Sequence, residues 1–121
     1  NIVDRVAELY FDGEFDYASN VNPPTFPDGL DVEVLSVDVL RAVSERASES
    51  ADREHVTRYI RARPDEFRIG NLTNTPDLSH LRWTLDTEAD FERINSIFNR
   101  VGRPMFGMED VLHQATDSHV P

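Results

Sequence analysis

The sequence predicts an α/β fold, on three observations. Stretches that alternate apolar and polar residues are interleaved with stretches whose apolar residues recur at helical spacing. Ser36 and Thr87 stand where helix caps belong, and Pro- and Gly-containing segments separate the periodic stretches.

The first element is a helix, with Ile2, Val3, Val6, Ala7, Leu9 and Tyr10 at helical spacing and Gly13 as its stop. Phe15, Tyr17 and Ser19 alternate as a short strand, and "NPPTFPDG", Asn22 to Gly29, is a loop too rich in Pro for regular structure. In "LDVEVLS" Leu30, Val32 and Val34 share one face of a second strand. Ser36 then caps a helix whose apolar face is Val39, Leu40, Val43 and Ala47. After a polar loop at Ser48 to Ser50, one helix carries Arg53, Glu54 and His55 at its start and Val56, Tyr59 and Ile60 inside it, and Pro64 ends it. "FRIGNL" reads as a strand and "NTPDLS" as a turn. Leu81, Trp83 and Leu85 alternate as another strand, with His80 and Arg82 on its opposite face. Thr87 with Asp90 approximates a capping box for a long helix bearing Phe91, Ile94, Phe98 and Val101, stopped by Gly102 and Pro104. A short helix follows around Met108 to Gln114.

A chain of 121 residues suits one domain with a modest core, and residues 1–121 are expected to form a single domain segment. The 12 basic and 23 acidic residues leave a formal charge of −11, which argues against nucleic acid or an anionic membrane as partner. Every basic residue is Arg and there is no Lys. This composition fits a salt-accumulating halophile, with codon bias as the alternative. The absence of Cys excludes disulfides, thiolate metal sites and thiol nucleophiles. No apolar run approaches the roughly 20 residues that span a bilayer, and a cytoplasmic location is expected.

Candidate chemistry gathers in four patches. Asp86, between an alternating stretch and a helix, either complements the helix dipole or holds a divalent cation at a strand's carboxyl end. In "PDGLDVE", Asp28, Asp31 and Glu33 bracket a Gly that permits close backbone approach; the plain alternative is a turn before a solvated strand face. Glu54 and His55 are either ordinary first-turn helix residues or pocket residues. Arg82 either seeks a polar partner or is solvated at an edge. No Ser-His-Asp order or paired His ligands support a hydrolase or zinc reading.

"PPTFPDGLDVEVLS", "REHVTRYIR", "IGNL" and "LSHLRWTLDTEADFE", in that order, resemble the C-terminal half of the cytidylyltransferase-type sugar nucleotidyltransferases. The branch resembled is that of the spore-coat-polysaccharide biosynthesis proteins, with CMP-ketodeoxyoctonate and CMP-acylneuraminate synthetases more distant. The resemblance implies half of a glycosyltransferase A-like sandwich, a mixed sheet flanked by helices, with the N-terminal nucleotide-binding half absent from this chain. It implies an activity that joins a sugar to a nucleoside monophosphate, CTP being the expected donor, with release of pyrophosphate and with Mg²⁺ as cofactor. Asp86 matches the metal-site aspartate of the family's D-T-P-E-D motif, with Glu88 where the family has Pro. Asp28, Asp31 and Glu33 fall on the segment lining the acceptor-sugar side, and Glu54 and His55 on a helix bordering it. A homodimer is expected. The competing expectation is a sugar-binding or dimerisation module without chemistry of its own.

Overall fold

The computed structural model describes residues 1–118, and the side chains of residues 1–114. The chain divides into two compact units. One comprises Asn1–Phe26 and Asp31–Leu78, and the other Pro27–Leu30 with the chain from Ser79 onward.

The first unit is built on a small mixed sheet. Helix α1, Ile2–Asp12, is capped by the Asn1 side chain, which accepts the Asp4 N–H, and it ends at Gly13. Strands β1, Tyr17–Ser19, β2, Glu33–Leu35, and β3, Ile69–Asn71, lie in the order β2-β1-β3. β1 pairs antiparallel with β2, Ser19 opposite Glu33, and parallel with β3, Ser19 opposite Asn71. Helix α2, Val37–Arg46, starts where the Ser36 hydroxyl accepts the Val39 N–H, as the sequence predicts. Helices α3, Ser50–Glu54, and α4, Val56–Arg61, follow. Tyr17, Val43, Ala47, Tyr59, Ile60 and Phe67 form the core, with Leu35, Val39, Val56 and Ile69 packed on it. α1 packs on all three strands, burying Val6 completely.

The second unit holds α5, Glu88–Val101, and α6, Met108–Ser118. The capping box at Thr87 and Asp90 is present in full, and Gly102 closes α5 in the left-handed conformation at φ 71°. Ile97 and Val111 are buried here, as is Pro27, and Phe98 meets Phe106 edge to face with centroids 4.9 Å apart.

Four sequence expectations are corrected. The strand expected over Leu30 to Ser36 is only Glu33–Leu35, because Asn20 takes both backbone groups of Val32: its Oδ1 accepts the Val32 N–H and its own N–H donates to the Val32 carbonyl. No strand forms at Leu81 to Leu85. One parallel bridge joins Arg82 to Asp28, through Asp28 N–H to the Leu81 carbonyl at 2.8 Å and Trp83 N–H to the Asp28 carbonyl at 2.7 Å. The helix expected to contain Arg53 to Ile60 is two short ones, broken at His55, whose φ of −124° and ψ of 74° are not helical. The Arg53 guanidinium pins α3 to the end of α2 through the Ser44 and Ala47 carbonyls, while Val56 turns into the core. On α5 the buried apolar residue is Ile97, whereas Phe91 and Phe98 stay about half exposed.

Candidate functional site

The β2 end of the first unit and the α3–α4 junction together wall a cavity of about 560 Å³. From the chain entering β2 come Asp31 and Glu33, and from the helix break come Glu54 and His55. These are sequence-predicted site residues, distant in the chain, that the fold brings to one place. The break at His55 matters here, since it turns the end of one helix and the start of the next toward the same opening. Val21, Val56 and Thr57 add apolar and hydroxyl surface, and Arg58 and Arg61 add positive charge. A pocket with carboxylates and guanidiniums on a partly apolar wall suits a polyhydroxylated ligand.

The charges in this cavity differ in how firmly they are held. Glu33 is fixed from the core side, where the Tyr17 hydroxyl donates to its Oε2 at 2.5 Å. Burial pushes the Tyr17 phenol well above its ordinary range, and the bond to Glu33 pushes it further, so Tyr17 remains a donor. Arg58 is tied to the buried Asp52 at 3.8 Å. Glu54 and His55 approach at 3.9 Å, but both are exposed, so this contact holds neither firmly.

The second unit holds the other predicted residues in an arginine-centred network. Arg82 forks onto Asp90, Nε to Oδ1 at 3.2 Å and Nη2 to Oδ2 at 3.0 Å. The same Nη2 reaches Asp86 Oδ2 at 3.2 Å, and Nη1 lies 3.9 Å from Asp28 Oδ2. Asp90 also accepts the backbone N–H groups of Asp86 and Thr87 at 3.0 and 3.1 Å, and pairs with Arg93. The Arg82 hydrogen bonds first, then the Asp86 N–H and Arg93, hold the Asp90 carboxyl far below the usual carboxylate range. Arg82 is raised in turn, chiefly by its bond to Asp90. Asp86 itself is exposed. Among the described residues no group of three or more His, Asp or Glu is arranged to hold a metal ion.

The sequence alone does not single out Tyr17, Arg58, Arg61 or the hub role of Asp90. His55, Arg58 and Arg61 recur at a spacing of three, a helical signal that would have extended the pocket along α4. Asp90 reads only as a cap until Arg82 is seen beside it.

Comparison with known proteins gives the following. The sequence is 31% identical over 116 residues to the spore coat polysaccharide biosynthesis protein SpsF of Bacillus subtilis, covering 92% of this chain and 47% of that protein. It is 34% identical over 93 residues to an uncharacterized protein of Methanocaldococcus jannaschii, covering 75% of this chain and 37% of that one. The structure of a cytidylyltransferase from Leptospira borgpetersenii serovar Hardjo-bovis matches with a TM-score of 0.88 at 24% identity, over 98% of this chain and 50% of the other. That likeness shows a shared fold. The chain thus spans about half the length of these relatives or less. No family model matches the sequence.

Proposed function

This chain is a relative of the cytidylyltransferase family in its spore coat polysaccharide branch, and from that premise we propose that it is the sugar-side, C-terminal half of a nucleotidyltransferase. The complete enzyme activates a sugar as a nucleoside monophosphate conjugate, with CTP as donor and pyrophosphate as product, for surface polysaccharide in the cytoplasm. Its fold is glycosyltransferase A-like, and it acts as a homodimer.

The observation that carries this reading is the cavity at β2 and the α3–α4 break, where Asp31, Glu33, Glu54 and His55 converge. Carboxylates accept hydrogen bonds from sugar hydroxyls, and the guanidiniums of Arg58 and Arg61 favour acidic groups on the sugar or donor. Binding of the sugar here orients the hydroxyl that attacks the nucleotide's α-phosphate, so the cavity contributes by positioning.

Mg²⁺ is the cofactor expected for phosphoryl chemistry of this kind, and Asp86 is the residue of this chain proposed to contact it. The described residues supply too few ligands by themselves, so the remaining ones come from elsewhere in the complete protein. In this structure Arg82 donates to the Asp86 carboxylate.

A second reading, a sugar-binding module without chemistry, is favoured by one observation: the Asp86 carboxylate is engaged by Arg82. The two separate in the full-length protein by measuring pyrophosphate release from CTP and a panel of sugars. Sustained release that depends on both substrates supports the enzyme. Sugar binding without release supports the module.

A further inference from the structure

We infer that Tyr17 is a positioning residue, holding Glu33 so that one carboxylate oxygen of this otherwise exposed side chain is preset to accept a hydroxyl of the acceptor sugar; this rests on the sugar-side reading of the cavity. The argument begins with the strand register. Ser19 lies opposite Glu33 and Tyr17 opposite Leu35 on the antiparallel β1–β2 pair. Tyr17 and Glu33 are therefore diagonal neighbours on one face of the sheet, a separation a long side chain can bridge.

Tyr17 has no exposed surface, and its ring is packed among Val43, Ala47, Tyr59, Ile60 and Phe67. Phe would fill an apolar core as well, without a hydroxyl to desolvate. The hydroxyl donates a 2.5 Å bond to Glu33 Oε2, and the Ser19 side chain hydrogen-bonds to it as well. Because the core locks the ring, the donor sits at a fixed point under the cavity wall.

Glu33 is the residue that benefits. It lines the cavity and would sample many rotamers if left to solvent. With Oε2 taken by Tyr17, Oε1 accepts no hydrogen bond from the described residues, and it is the oxygen left for a ligand. Fixing the carboxylate before the sugar arrives removes an ordering cost from binding.

The test uses the full-length protein, pyrophosphate release from CTP, and ketodeoxyoctonate and an acylneuraminate as probe sugars. Tyr17→Phe and Glu33→Gln are each expected to raise the sugar KM roughly tenfold, with kcat and the CTP KM within about twofold of wild type. Combining them adds nothing further, because Tyr17 acts only through Glu33. Glu33→Asp keeps the charge but withdraws the carboxylate from the Tyr17 hydroxyl without touching the core, and it is expected to show the same rise. An unchanged sugar KM in Tyr17→Phe or in Glu33→Asp overturns the inference. So does a Tyr17→Phe effect that persists undiminished in the Glu33→Gln background, which would mean that the hydroxyl acts through another partner such as Ser19. A wild-type protein that releases no pyrophosphate with either probe overturns the proposed function itself, and this inference with it.

Discussion

Asp90 receives both prongs of the Arg82 guanidinium while capping the helix that it belongs to, so one buried carboxylate ties residues 82, 86 and 87 to the start of α5. Thr87 completes the box by accepting the Asp90 N–H at 3.1 Å. Thr87→Ala removes that single bond and is expected to cost about 1 kcal/mol. Asp90→Asn also strips the charge from the fork and leaves Arg82 and Arg93 facing an amide. Its loss of stability is expected to exceed that of Thr87→Ala. Denaturant midpoints of both variants against wild type measure the order.

The same carboxylate gives stability a pH dependence of known sign. Folding lowers the Asp90 pKa, so the folded state binds this proton less readily than the unfolded chain. Its contribution is full above about pH 4, the ordinary carboxylate value, and is lost as pH falls below that. Melts from pH 6 to pH 2 are expected to show the wild type's advantage over Asp90→Asn shrinking below about pH 4. An advantage that stays constant to pH 2 contradicts this.

Gly29 holds the loop that brings Asp28 to Arg82. Its φ of 113° is a glycine conformation, and a Cβ there would sit 2.8 Å from the Trp83 carbonyl oxygen. Gly29→Ala is expected to cost roughly 2 kcal/mol or more, by backbone strain and by opening the bridge at Asp28. Gly102→Ala, at φ 71° with nothing within 4 Å of the new Cβ, bears strain alone and costs about 1 kcal/mol. Thermal melts of the two variants compare them directly.

Much of this was legible in the sequence because it rests on local chemistry. The caps at Ser36, Thr87 and Gly102 each depend on residues within one turn, and each is found. What was not legible depends on partners distant in the chain. Leu81, Trp83 and Leu85 alternate correctly, but alternation states which side a residue faces, not whether a ladder exists, and only one rung forms. Nothing in Glu54-His55-Val56 forbids a helix, and the break comes from Arg53 reaching back to α2 while Val56 enters the core. The candidate site shows the same division. Asp28, Asp31 and Glu33 read as one acidic patch, yet the turn at Gly29 sends Asp28 to Arg82 and leaves Asp31 and Glu33 at the cavity. The convergence of Glu54 and His55 on that cavity was not readable from composition or spacing.

The charge of −11 without Lys predicts a salt response. Repulsion among separated carboxylates is strong at low ionic strength, and at 1 M salt the screening length falls to about 3 Å. The melting temperature is expected to rise between low and molar KCl. A flat or falling midpoint across the series removes the halophile expectation and leaves codon bias to account for the missing Lys.

The central claim is that the cavity at β2 and the α3–α4 break reads the sugar. The most direct measurement is steady-state kinetics of pyrophosphate release by the full-length protein carrying Glu54→Gln or Asp31→Asn, with CTP and sugar varied in turn. Each substitution removes a charged acceptor from the cavity wall while preserving its size. The account predicts a sugar KM raised roughly five- to tenfold in each, with the CTP KM within about twofold of wild type. A rise in the CTP KM with the sugar KM unchanged, or no change in either, would contradict it.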